Sequence, residues 1–155
     1  MILKIQWKKL IACLAIPLAV GGLSALLTRS SMESFEALNK PPLSPPGWLF
    51  PVVWTILFVL MGIASYLVVV SGKPNRTALT VYGVQLLFNF VWSLLFFNLE
   101  QYLFAFVWLV ILWLLILITT VLFYRISKPA GYLMVPYLLW VAFAGYLNFA
   151  IYLLN

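Results

Sequence analysis

The 155-residue chain has no histidine, no aspartate and one cysteine, Cys13, and only 8% of its residues are charged. Each absence closes a class of chemistry. Without His or Asp there is no Ser-His-Asp triad, no paired-aspartate catalysis and no histidine-ligated metal. A lone cysteine excludes an internal disulfide and any multi-cysteine metal site. Nine Lys/Arg against three Glu give a formal charge of +6. These cations are too scattered to track a phosphate backbone, so nucleic acid is not an expected partner. What the chain does have is apolar: 66% hydrophobic residues, 17% of the total being aromatic. A soluble domain carries about a quarter charged residues and under half apolar ones. So small a core cannot hide this much apolar surface from water. The expected solvent is a lipid bilayer.

A hydrocarbon core about 30 Å thick needs about 20 apolar residues per helix. Five stretches qualify, at about residues 10–28, 48–70, 78–99, 102–124 and 131–154. Between them lie a long polar, Pro-rich segment over 29–47, a turn at 71–76, a tight link at 98–101 and another at 125–129. The expected fold is all-α and integral to the membrane. It is a single bundle of five transmembrane helices with a long Pro-rich first loop, forming one domain over 1–155. Two N-terminal patterns resemble processing signals: Lys8-Lys9 before an apolar run ending at Ser24-Ala25, and Leu10-Ile-Ala-Cys13, which is similar to a lipoprotein cleavage site. Only Leu10 to Ala12 separates the lysines from Cys13, too short for a signal core, so an uncleaved first span is expected.

Positive charge is unevenly shared between the two ends of the spans. Lys4, Lys8, Lys9, Lys73, Arg76, Arg125 and Lys128 fall on one side, and only Arg29 and Lys40 on the other. Cytoplasmic loops carry the excess of Lys and Arg. The N-terminus is therefore expected inside a bacterial cell membrane, with the first loop and the C-terminus outside.

No span holds an interior charge, which argues against a proton relay, a voltage sensor or an ion-coupled pump. The third span places Tyr82, Gln85, Asn89 and Ser93 on one helical face with Trp92 and Phe96 beside them. Amides cannot face acyl chains without losing their hydrogen bonds. Two readings stand: Gln85 and Asn89 join helices, or they line a pocket and meet a polar edge of a ligand. The fifth span repeats the pattern with Trp140, Ala144 and Asn148 at i, i+4 and i+8. Its small residues Ala142, Ala144 and Gly145 either pack helices closely or leave a slot beside the indole. In the second span Trp54 and Phe58 are one turn apart. Trp7, Trp48 and Trp108 read as interfacial belt residues, and Trp113 as lipid-facing or packed. Lys40-Pro-Pro-Leu-Ser-Pro-Pro-Gly-Trp48 is held extended by its prolines. Such stiffness suits a lid over an opening, or a rigid spacer entering the next helix.

Together these segments resemble a known family. Lys40 through Gly62, with Trp54 and Phe58, resembles the loop and second helix of the tryptophan-rich sensory protein (TspO/MBR) family, related to the mitochondrial translocator protein or peripheral benzodiazepine receptor. Gln85-Leu-Leu-Phe-Asn89-Phe-Val-Trp92 is similar to its third helix, and Pro136 through Asn148 to its fifth. The resemblance implies a five-helix bundle, commonly a homodimer, with a pocket capped by the first loop. It implies binding of tetrapyrroles such as protoporphyrin IX, and of isoquinoline carboxamide or benzodiazepine-type ligands. In some members it extends to light-driven oxidative breakdown of the porphyrin. Carried over by position, the ligand-binding residues are Phe35, Trp54, Phe58, Asn89, Trp92, Trp140 and Ala144. Trp54 and Trp140 match the pair of indoles that, by the resemblance, would assist photo-oxidation. No metal site and no cofactor is expected: the porphyrin is the ligand, and without histidine a metal-free macrocycle suits the chain best. Whether such a photoreaction counts as enzymatic turnover stays open. A transporter of tetrapyrroles or similar amphiphiles is the alternative. The chain departs from the family at Leu43, where an aromatic is usual. It also departs in the cholesterol-recognition segment, where Phe149 replaces Tyr and no basic residue follows Lys128.

Overall fold

The computed structural model describes residues 4–155. Helix α1 covers Trp7–Thr28, a 3₁₀ turn Arg29–Ser31 and a short α2 Met32–Glu36. Then follow α3 (Leu49–Val69), α4 (Arg76–Ser93) with a π-helical turn Leu94–Asn98, α5 (Tyr102–Ile126) and α6 (Lys128–Leu154). Among the described residues there are five helical segments long and apolar enough to cross a membrane. The protein is an all-α, five-helix membrane bundle. The sequence reads as a polar linker from residue 29 onward, but the chain stays helical to Glu36. Residues 29–36 contain no proline or glycine to stop it, and Glu33 sits favourably in the first turn of α2.

The helices neighbour one another in the cyclic order α1, α3, α6, α5, α4, with α4 returning to α1. Lipid supplies no hydrophobic drive between helices, so close packing and hydrogen bonds hold such a bundle together. On α5 the buried residues are Ala105, Leu109, Leu112, Ile116, Thr119 and Phe123, spaced alternately four and three apart. That spacing gives one continuous face. It packs against α6 across the most extensive seam of the molecule, where Gly145 faces Leu109 and Gly131 faces Tyr124. Ser127 alone links the two helices, and the reversal needs a glycine beyond it. A Cβ on Gly131 would lie 2.5 Å from Tyr124 Cβ and 2.7 Å from its Cα.

Polar groups inside the spans are mostly paired across helices. Tyr137 Oη donates to Gln85 Oε1 at 2.6 Å and accepts from Asn89 Nδ2 at 2.8 Å. Trp113 Nε1 donates to the Leu138 carbonyl at 3.1 Å, so this indole ties α5 to α6. Trp108 is not a belt residue: its Nε1 donates to the Phe88 carbonyl at 2.9 Å and its ring stacks on Phe88 with centroids 4.3 Å apart. Trp7 and Trp48 are largely exposed near helix ends, as interfacial side chains are.

By contrast α1 is thinly covered, with only Pro17 and Thr28 buried. Its closest approach is to α3 at Gly62, where an added Cβ would stand 2.8 Å from Leu14 Cα and 2.9 Å from the Cys13 carbonyl. Gly21 likewise receives the Phe58 ring.

Candidate functional site

Between α1, α3, α4 and α6, beneath the first loop, lies a cavity of about 790 Å³. No residue of α5 lines it. The loop forms its roof, with Lys40, Ser44, Pro45 and Gly47 facing in. That roof is fastened to α6. The Asn39 backbone N–H donates to Asn155 Oδ1 at 3.2 Å, and Asn155 Nδ2 donates to the Asn39 carbonyl at 2.9 Å. Tyr146 Oη donates to the Pro42 carbonyl at 2.8 Å. Within the loop, Ser44 Oγ donates to the Pro41 carbonyl at 2.7 Å. Leu43 sits at φ 71°, a left-handed conformation costly for a bulky side chain.

Phe35, Trp54, Phe58, Asn89, Trp92, Trp140 and Ala144, drawn from the four helices α2, α3, α4 and α6, all line this one cavity. Trp54 and Phe58 stack with centroids 5.6 Å apart and planes 29° apart. Trp92 and Phe96 stack at 5.3 Å and 25°. Phe35 enters from α2 and packs edge-on against Phe50, Phe96 and Phe97. Lys40 Nζ lies 5.0 Å above the Phe35 ring and donates to the Glu36 carbonyl. Arg29 and Lys40 bring two cations to the mouth. Phe50 meets Trp140 at 5.9 Å. The walls are thus largely apolar and aromatic with few polar groups, the usual make-up of a small-molecule site of this size.

The two readings of the third-span amides divide. Gln85 is fully buried, does not line the cavity, and is held by Tyr137. Asn89 does both jobs: it donates to Tyr137 and borders the cavity. Trp92 bonds Asn148, which also lines the cavity: its Nε1 donates to Oδ1 at 3.0 Å, while Asn148 Nδ2 donates to the Tyr102 carbonyl at 2.8 Å. The small residues of α6 divide as well. Ala144 lines the cavity, whereas Gly145 faces Leu109 of α5.

Sequence reasoning did not assign to the site Phe50, Phe97, or the α1 residues Leu18, Gly21 and Ser24, which also line the cavity. Phe97 owes its place to the π-turn: the Leu99 N–H bonds the Leu94 carbonyl at 3.0 Å, five residues back. Nothing in the composition of Leu94–Asn98 marks that turn. Asn98, just past the aromatics, fixes the junction of α1 and α2. Its Nδ2 donates to the Leu27 carbonyl, and Ser31 Oγ donates to its Oδ1.

Fold and cavity define a class: integral membrane proteins of five helices with an aromatic-lined cavity under a Pro-rich first loop. The sequence profile of the TspO/MBR family matches residues 13–154, and the chain belongs to that family. It is 44% identical over 147 residues to the tryptophan-rich protein TspO of Chlorobaculum tepidum, covering 92% of this chain and 93% of the relative. The TspO of Archaeoglobus fulgidus is 40% identical over 149 residues, covering 95% and 97%. The translocator protein of Bos taurus is 33% identical over 148 residues, covering 92% and 88%.

Proposed function

We propose that the protein is a membrane receptor and sensor that holds a tetrapyrrole of the protoporphyrin IX type in this cavity and assists its photo-oxidation. The observation that carries the reading is the convergence of Trp54, Phe58, Trp92 and Trp140 on one partly open, largely apolar space of about 790 Å³. A space of roughly 300–1,000 Å³ takes a small organic ligand, and aromatic faces suit a planar π-system through offset contact. The same walls would take isoquinoline carboxamide or benzodiazepine-type ligands, whose fused rings make similar demands. Arg29 and Lys40 offer charge complementary to carboxylates at the mouth.

When bound, the porphyrin supplies light absorption and reaction with oxygen. The chain's residues hold the ligand, keep bulk water from it beneath the pinned loop, and present the electron-rich indoles of Trp54 and Trp140 as donors of an electron or hydrogen atom. Neither a general acid nor a general base is required.

The surrounding assignments belong to the same reading. The chain works as a homodimer in a bacterial cell membrane, with its N-terminus cytoplasmic. Lys73 Nζ donating to the Ile126 carbonyl at 2.9 Å supports that orientation, since it ties the second and fourth connections, both Lys/Arg-rich, at one end of the bundle. The roofed mouth, with Arg29 and Lys40, then faces outward.

The test is illumination of purified protein with protoporphyrin IX, comparing wild type with Trp54→Phe and Trp140→Phe. The reading expects faster porphyrin loss with wild type than in free solution, and a fall toward the free rate in both variants. Loss at the free rate in every sample removes the photo-oxidation claim. A fluorescence-quenching titration in detergent tests the binding claim separately, with Asn89→Leu and Trp140→Ala expected to weaken it.

A further inference from the structure

Charge is divided between the two ends of this bundle. Glu33, Glu36 and Glu100, the only acidic side chains of the sequence, stand at the roofed end, in α2 and in the link before α5. Seven of the nine Lys/Arg stand at the opposite end, where no acidic side chain offsets them. Four of the seven lie in two connections that the fold brings together. Lys73 Nζ donates to the Ile126 carbonyl at 2.9 Å. Tyr82 of α4 meets Phe123 of α5 with ring centroids 5.5 Å apart. Arg76 precedes Tyr82 on α4, and Arg125 and Lys128 follow Phe123, so all three sit about 3–9 Å beyond that contact toward the same end. All four cations are exposed.

Two exposed apolar stripes run down from this cluster. On α5, Arg125, Val121, Ile118 and Leu114 follow one another at spacings of four, three and four, which keeps them on one face. On α6, Lys128, Tyr132, Val135 and Leu139 repeat the same spacing on an equally exposed face. The two helices are neighbours along their whole length. Tyr132 meets Tyr124 edge-on at 5.6 Å, which joins the heads of the two stripes. Tyrosines of this kind sit at headgroup level, with the ring toward the acyl chains and the hydroxyl toward water.

We propose that this end of the α5–α6 hairpin binds an anionic phospholipid, its phosphate held by Arg125 and Lys128 beside Lys73 and Arg76, and its acyl chains lying along the two stripes. The occupant must be amphiphilic, because the surface is cationic at the head and apolar below it. It must carry net negative charge, because nothing in the chain neutralises the cluster, and basic pockets between helix ends hold anionic head groups. Arg125 adds a planar fork that fits phosphate oxygens two at a time. A zwitterionic lipid brings its own ammonium against the cluster, and a second copy of this chain brings an equally positive end, so both are repelled. The inference is independent of what fills the cavity.

The test titrates the purified full chain in a nonionic detergent with dioleoylphosphatidylglycerol or dioleoylphosphatidylcholine and counts bound lipid by native mass spectrometry. Wild type is expected to bind the phosphatidylglycerol more tightly, and raised salt should narrow the gap. The pair Arg125→Gln and Lys128→Gln should weaken phosphatidylglycerol binding by roughly tenfold or more and leave phosphatidylcholine unchanged. Lys8→Gln with Lys9→Gln removes the same charge from the start of α1 and should change either lipid by less than about twofold. Arg125→Lys with Lys128→Arg keeps the charge and should keep the preference. Equal affinity of wild type for the two lipids overturns the inference. So does an equal loss in the two Gln pairs, which would make the attraction diffuse rather than a site. If the hairpin pair does not purify, Lys128→Gln alone should still cost roughly threefold or more, and an unchanged affinity there overturns the inference as well.

Discussion

The α5–α6 side of this bundle and the α1 side are built from the same apolar alphabet and end up doing opposite things. On the α5 side a stripe of residues at alternating four and three spacing meets α6 continuously, and the indoles of Trp108 and Trp113 spend their N–H groups on backbone carbonyls. On the α1 side the contact with α3 is close only around Gly62 and Gly21, and the remainder opens into the cavity. There Trp140 keeps its N–H unspent. The difference teaches that tryptophan content alone does not mark a site in such a protein. What marks it is where each ring packs: Trp92 lines the cavity although its N–H is already bonded to Asn148, whereas Trp108 and Trp113 are tied into the helix seams.

The strongest way to break this comparison is to deny α1 its close backbone approach to α3 at Gly62. Gly62→Leu puts a side chain against the Leu14 and Cys13 backbone, which cannot step aside. The cost should exceed the roughly 1–3 kcal/mol typical of overpacking, read as loss of monodisperse protein on size exclusion in detergent. Gly22→Leu, with nothing within 4 Å of the new Cβ, should purify normally. If both variants behave alike, the Gly62 contact is not what seats α1.

A crossed pair of indole variants sharpens the contrast with a smaller effect. Trp113→Phe removes the bond to the Leu138 carbonyl and should lower stability by about 1–2 kcal/mol, seen as a lower thermal midpoint, with porphyrin affinity unchanged. Trp140→Phe should do the reverse, weakening protoporphyrin IX binding with little change in midpoint, because its N–H has no partner to lose. Identical behaviour of the two variants would erase the distinction between the sides.

Smallest of the three is the roof. Asn155→Ala removes the side-chain bonds to Asn39, each worth about 1 kcal/mol or less in an exposed setting. Ligand dissociation should quicken by a few fold in stopped-flow quenching, with the thermal midpoint essentially unmoved. A dissociation rate equal to that of wild type would mean the Tyr146 bond to the Pro42 carbonyl suffices to hold the loop.

Much of this was legible in the sequence for physical reasons. Span number follows from hydropathy because a bilayer demands long apolar segments. The family resemblance drew Phe35, Trp54, Phe58, Asn89, Trp92, Trp140 and Ala144 into one set, and the structure places all seven on one cavity. The rest depended on registers between helices, which local sequence does not carry. Gln85 and Asn89 share a face, yet only the position of Tyr137 on α6 decides that one is locked away and the other borders the cavity. Ser24 stood beside Ala25 in what looked like a cleavage site, and no periodicity distinguishes α1, since lipid covers most of its circumference. The continuation of helix to Glu36 was hidden by polar residues that suit a linker and a water-exposed helix equally.

The wide turn at Leu94–Asn98 carries a consequence for how this cavity tolerates change. It accommodates one more residue than an ordinary turn would, so deleting a single residue there lets the helix close to a regular turn while the flanking segments nearly keep their phase. A deletion in the regular part of α4 has no such slack: it would swing everything beyond it by about 100°, rotate Phe97 off the wall and take Asn98 from both Leu27 and Ser31. Substitutions along the wall reshape the chamber gradually; a one-residue deletion in α4 ahead of the wide turn would dismantle one side of it at a stroke.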